Sequence, residues 1–138
     1  MIKLFYALAI VVLVTPGVVA IAATANDTIV VAGDEVGRIV TLRNVSIKNG
    51  EVSGEIVNNS RDILRDVVLE IRYSWRWANE FHPGKDDPGR TVYYTAAKEI
   101  RPGGSARFEY KPSPPLPERR DGSFVIDVKV AGFERVYF

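Results

Sequence analysis

The chain has 138 residues, of which 46% are hydrophobic and 25% charged, and its formal net charge is +1. This length fits one domain, and a nearly neutral domain lacks the basic surface that binding to nucleic acid or to an anionic membrane requires. The sequence contains no cysteine, which excludes disulfides, thiolate chemistry and thiolate-bound metal sites.

Residues 1–25 are typical of a segment that directs export. Lys3 supplies a basic start, and the following stretch from Leu4 to Ala25 is uncharged. Pro16-Gly17 interrupts the apolar run, and small residues before Asn26 fit cleavage by a signal peptidase. The same stretch is also long enough to span a bilayer. We therefore expect a signal peptide or a membrane-anchoring helix, and a periplasmic, secreted or cell-surface protein.

The region after the export segment begins with turn and hairpin signals. Residues 26–37 are predicted to be a linker or a loosely paired first strand, with a turn at Gly33-Asp34-Glu35. From residue 38 to 138 short strands are expected. The clearest signal is a hairpin from Val45 to Ile56, because its Asn49-Gly50 pair suits the positive φ angles of a type I′ turn. Residues 58–62 predict a polar turn.

The longest predicted strand carries several aromatic residues. Apolar side chains occupy every second position from Val67 to Trp77, and mostly charged or polar side chains fill the gaps. This alternation indicates a strand with one face in the core, and it favours burial of Tyr73 and Trp75. Trp77 lies where the strand runs into a loop, at residues 79–90, that is rich in proline and glycine.

The remaining segments complete an all-β pattern. Strands are predicted over residues 91–96, 105–110 and 123–130, with a proline-rich loop over 111–122 and one more edge strand after Gly132. No helix is expected after Ala25. About seven short strands predict a single immunoglobulin-like antiparallel β-sandwich, preceded by the N-terminal hydrophobic signal or anchor helix.

A set of spaced residues resembles a known family. The residues are Gly54-x-Ile56-x-Asn58-Asn59-Ser60, Val67-x-Leu69-x-Ile71, Ile100-x-Pro102-Gly103 and Phe108. Together they resemble FxLYD-type domains, small β-sandwich modules of exported prokaryotic proteins, over residues 45–130. Where the family has Leu-Tyr-Asp, this chain has Ile71-Arg72-Tyr73-Ser74-Trp75. The resemblance implies an extracytoplasmic module and no shared chemistry.

Three aromatic residues are the candidate binding residues. Trp77 and Phe81 lie at the junction of the long strand with its loop, and Tyr93 faces away from Val92 and Tyr94. Exposed rings of this kind stack on sugars or anchor protein partners.

Neither a catalytic site nor a metal site is expected. His82 is the only histidine, and the sequence has no G-x-S-x-G motif. Asp86 and Asp87 are too few to form a set of metal ligands. The sequence therefore predicts a non-enzymatic binding or assembly module without a cofactor.

The expected partner is an envelope or surface protein, with strand addition at a sheet edge as a natural contact. Membrane contact is expected only through residues 1–25, if they are retained. The alternative function is a carbohydrate-binding module that uses Trp77, Phe81 and Tyr93. Solvent-facing, co-planar rings would favour this alternative, and buried rings would remove it.

Overall fold

Two antiparallel β-sheets and one short helix make up the computed structural model, which describes residues 28–29 and 33–137. The predicted signal or anchor segment lies outside the described residues. The elements are β1 (Thr28–Ile29), α1 (Gly33–Ile39), β2 (Val40–Lys48), β3 (Glu51–Asn58), β4 (Ile63–Trp77), β5 (Arg90–Ile100), β6 (Ser105–Tyr110) and β7 (Gly122–Val136).

Sheet A has the strand order β1-β7-β4-β5, and sheet B has the order β2-β3-β6. Buried residues from both sheets form one hydrophobic core, which includes Val52 and Ile56 from sheet B and Leu69 and Ile71 from sheet A. The prediction of an all-β fold is therefore confirmed.

The predicted β2–β3 hairpin is present. Asn49 and Gly50 have φ angles of 50° and 83°, and Lys48 pairs with Glu51 on either side of them. Two consecutive positive φ angles are what a type I′ turn requires, and few residues adopt them as readily as Asn and Gly. Farther along the hairpin, a bulge at Asn44 shifts the register between the two strands.

Strand β4 is the centre of sheet A and pairs with β5 on one side and β7 on the other. Val67, Leu69, Ile71 and Tyr73 are each at most 1% exposed, as the alternating pattern predicts. Glu70, on the opposite face, lies between positively charged neighbours. Sheet A therefore has a core face and a polar outer face.

The helix α1 was not predicted, because Gly33-Asp34-Glu35 has the composition of a turn. In the structure residues 33–39 are helical, and Val36 and Ile39 pack against the core. The spacing of three between these two side chains places them on one side of a helix. The prediction of a linker or loose strand over 26–37 is thus wrong for residues 33–37, while Thr28–Ile29 pairs with β7.

The predicted break at Gly132 is also wrong, because β7 continues to Val136. Gly132 pairs with Val68, where the register between β4 and β7 shifts. Beyond this point Phe133 and Val136 are buried, at 3% and 5% exposure. The expected extra edge strand is the second half of β7.

The polar turn after β3 is organised by Asn58, which is fully buried. Its Nδ2 donates to the carbonyl oxygens of Asp62, Ile100 and Arg101, at 2.8, 3.1 and 3.1 Å. Its Oδ1 accepts a hydrogen bond from the main-chain nitrogen of Ser60 at 2.9 Å. One side chain therefore joins the β3–β4 turn to the β5–β6 turn.

Candidate functional site

The inward side chains at the end of β4 form a row of aromatic rings. Tyr73 is 1% exposed, and its hydroxyl donates to the carbonyl oxygen of Gly50 at 2.9 Å. Burial raises the pKa of Tyr73 to about 12. The partly buried Trp75 meets Phe124 and Trp77 edge to face, with ring centroids 4.8 and 6.0 Å apart. The row thus becomes less buried towards the loop that follows Trp77.

Arg119, from the loop before β7, lies against both tryptophans. Its guanidinium carbon is 5.2 Å from the ring centroid of Trp75 and 5.2 Å from that of Trp77, within the range of cation–π attraction. Its Nη1 donates to the carbonyl oxygen of Asp86 at 2.7 Å, and its Nε donates to Asp121 Oδ1 at 2.9 Å. The hydrogen bonds to Asp121 raise the pKa of Arg119 and lower that of Asp121. Arg119 therefore links the loops before β5 and before β7.

Trp77 is enclosed by the loop that it begins. A Cβ placed on Gly84 would lie 2.7 Å from a ring carbon of Trp77, so only glycine allows the main chain to approach the ring this closely. Arg119 contacts the same ring. Trp77 is therefore partly buried and holds the loop in place.

Phe81 is the exposed ring of this loop, with 92% of its surface accessible. Asn79 Oδ1 accepts from the main-chain nitrogen of Phe81 at 3.1 Å, and the Asn79 carbonyl oxygen accepts from the nitrogen of His82 at 3.2 Å. Asparagine commonly organises turns in this way. Because the turn carries Phe81 and Trp77 lies beneath the loop, Phe81 is presented to solvent from a supported main chain.

Tyr93 lies on the outer face of sheet A, away from the two tryptophans. It is 65% exposed, and its hydroxyl donates to Glu70 Oε2 at 3.2 Å. Glu70 also contacts Lys129 Nζ at 3.3 Å and Arg72 Nη2 at 3.1 Å. Partial burial tends to raise the pKa of Glu70, but hydrogen bonds from Lys129 and Tyr93 and nearby positive charge outweigh it and lower that pKa.

The three predicted binding residues consequently do not form one surface. Trp77 belongs to the core side of β4, Phe81 to the following loop and Tyr93 to the opposite face of the sheet. The loop before β5 therefore carries one exposed ring, Phe81, and the outer face of sheet A carries another, Tyr93.

The polar residues of the loop have local structural contacts. Asp87 Oδ1 accepts from the main-chain nitrogen of Gly89 at 2.7 Å, Asp86 offers its carbonyl oxygen to Arg119, and His82 is exposed. Within residues 28–29 and 33–137, no group of three or more histidine, cysteine, aspartate or glutamate side chains could hold a metal ion.

Comparisons of the chain with protein-family models, with curated proteins and with solved structures gave no match. In the part of the chain that the structure describes, no helix has both the length and the apolar character needed to cross a membrane.

Proposed function

We propose that this protein is a non-enzymatic binding or assembly module that works outside the cytoplasm and contacts a partner protein of the cell envelope through the loop at residues 78–89. The immunoglobulin-like architecture, the export segment at residues 1–25 and the FxLYD-type resemblance are parts of this proposal. The observation that carries it is the 92% exposure of Phe81 in a loop supported by Trp77 and Arg119.

An exposed phenylalanine in a supported loop suits a protein contact for two reasons. Moving a phenylalanine side chain from water into an apolar pocket contributes about 1.5–3 kcal/mol. A loop whose main chain is already held also loses less conformational freedom when it binds. Arg119 and the Asn79 turn supply this support before any partner arrives.

The carbohydrate-binding alternative has less support. Stacking on a sugar needs an accessible ring face, but Gly84 and Arg119 contact the Trp77 ring. Trp75 and Trp77 are nearly perpendicular, at 84°, so they do not form one flat platform. Tyr93 belongs to the opposite face of sheet A. Phe81 and Tyr93 are the exposed candidates, but they lie on different parts of the surface and cannot form one platform.

The test is a crosslinking pull-down of the tagged full-length chain from soluble and membrane fractions, with partners identified by mass spectrometry. Wild type is compared with Phe81→Ala and with His82→Ala, a matched change at the exposed neighbouring residue. We expect a reproducible partner that is kept by His82→Ala and lost by Phe81→Ala, with unchanged unfolding of both variants. The mass of the bait also reports whether residues 1–25 are removed.

Two results would overturn the proposal. The first is equal partner recovery with Phe81→Ala, which would place the contact elsewhere. The second combines two observations. No specific protein partner is recovered, and the wild type is retained on an immobilised glycan more strongly than Phe81→Ala. That second result would establish the carbohydrate-binding alternative.

A further inference from the structure

The strand edges of the two sheets differ in how well they are protected. Exposed edges invite pairing with other chains, and proteins commonly protect them with charges, bulges or short strands. In sheet B, β2 has a bulge at Asn44, and β6 spans only Ser105–Tyr110 and carries Arg107 and Glu109. At the other side of sheet A, β7 is partly covered by β1 and carries Asp127 and Lys129.

Strand β5 has none of these protections over residues 91–95, because its register with β4 shifts only after Thr95. This segment contains no charged residue, proline or glycine. Its register with β4 runs without interruption from Arg90 opposite Tyr73 to Thr95 opposite Val68. Among the described residues, no main-chain hydrogen bond outside the β4 pairing reaches residues 91–95. The segment is therefore a regular strand with one free edge.

The residues along this edge are self-complementary. Antiparallel pairing of two copies about a two-fold axis at Tyr93 places Thr91 opposite Thr95, Val92 opposite Tyr94, and Tyr93 opposite its own equivalent. Thr–Thr, aromatic–β-branched and aromatic–aromatic pairs are among the favourable cross-strand pairs. The paired residues 91–95 carry no charge, so no like charges oppose each other.

We propose that two copies of this chain form a symmetric dimer in which their β5 strands pair antiparallel with Tyr93 at the two-fold axis. Sheet A then continues from one copy into the other. An axis at Thr95 is less suitable, because the pairing would cross the bulge after Thr95 and place Lys98 opposite Val92. The exposed Thr91, Tyr93 and Thr95 side chains meet on the outer face, while Val92 and Tyr94 extend the core side.

The dimer is independent of the partner contact proposed for Phe81. The exposed ring of Phe81 belongs to the loop before β5, whereas the pairing uses the main-chain edge and side chains of residues 91–95. Loss of one contact therefore leaves the other measurable.

Disulfide crosslinking tests the register, because the full-length chain has no cysteine. Directly opposite residues of an antiparallel pair have Cα atoms about 4.5–5.5 Å apart, which suits a disulfide. We expect Tyr93→Cys to give a disulfide-linked dimer under mild oxidation. Thr95→Cys serves as control, since its two thiols would be displaced by about 13 Å along the strands. The double variant Thr91→Cys/Thr95→Cys keeps Tyr93 and should crosslink again.

Sedimentation of the full-length chain over a range of concentrations gives a second measurement. Tyr93→Lys would place two positive charges opposite each other, so we expect loss of the dimer. Val125→Lys, a matched change on the outer face of β7, should leave the dimer unchanged. The proposal is refuted if wild type stays monomeric, if Val125→Lys is as damaging as Tyr93→Lys, or if Thr95→Cys crosslinks as readily as the double variant.

Discussion

Replacement of Trp77 by alanine distinguishes a residue that supports the loop from one that binds a partner. The ring contacts Trp75, Gly84 and Arg119. Removing a fully buried tryptophan costs about 3–5 kcal/mol. Because Trp77 is partly exposed, removal of its ring loses less buried apolar surface and so costs less stability. Loss of the cation–π contact with Arg119 adds about 0.5–1 kcal/mol to this cost. We therefore expect Trp77→Ala to lower the free energy of unfolding by about 2–3 kcal/mol.

Chemical denaturation of the full-length chain, followed by circular dichroism, measures this loss. A shift of the midpoint at constant m-value reports stability alone. Phe81→Ala is the matched control, because a ring that is 92% exposed has little packing to lose. We expect its effect to stay within about 0.5 kcal/mol.

The opposite pattern would refute this assignment of roles. If Trp77→Ala left stability unchanged and abolished partner recovery, Trp77 would contact the partner directly. If Phe81→Ala cost as much stability as Trp77→Ala, the exposed ring would have a structural role in the loop.

Two buried residues give the remaining predictions. Asn58→Ala leaves buried main-chain groups without their hydrogen-bond partners, so we expect denaturation to show a free energy of unfolding lower by about 3 kcal/mol. For Asn59→Ala, a change at the exposed neighbouring residue, we expect a decrease of about 0.5 kcal/mol. Burial raises the pKa of Tyr73 from 10.0 to about 12, so the folded state favours its protonated form. Its contribution to stability is complete below pH 10 and falls as the pH rises towards 12. Tyr73→Phe should remove this loss of stability at alkaline pH. The same dependence of the free energy of unfolding on pH in wild type and in Tyr73→Phe would contradict this prediction.

The parts of the fold that could be predicted from the sequence depend on local rules. The Asn49-Gly50 hairpin follows from the φ angles that these two residues tolerate. The inward face of β4 follows from the alternation of side chains along any strand. Neither inference depends on which strands are neighbours in the sheet.

The two errors concern segments in which tertiary contacts outweigh local composition. Gly33-Asp34-Glu35 has turn composition, yet packing of Val36 and Ile39 on the core accompanies a helix. Gly132 weakens a strand in isolation, but it lies where the pairing of β4 and β7 shifts register, and the strand continues. The register shift involves Val68, a residue distant in sequence.

In the candidate site, too, local sequence rules predict some features and tertiary contacts decide the others. Alternation along β4 predicts that Trp75 and Trp77 face the core side, but it does not predict what covers them. Arg119 does so from a loop more than forty residues away, and no periodic pattern links it to either ring. For this reason the sequence groups Trp77 and Phe81 as candidate binding residues, whereas in the structure Trp77 is partly buried and Phe81 is exposed.

Strand β5 shows why a pattern that is visible in the sequence acquires a functional meaning only from topology. The segment Thr91-Val92-Tyr93-Tyr94-Thr95 is nearly symmetric about its central residue. In the middle of a sheet, that symmetry would have no consequence, because both edges would already pair with strands of the same chain. Here β5 is the last strand of sheet A, so one edge is free among the described residues. The same symmetry then makes a second copy of the chain a partner of matching pattern.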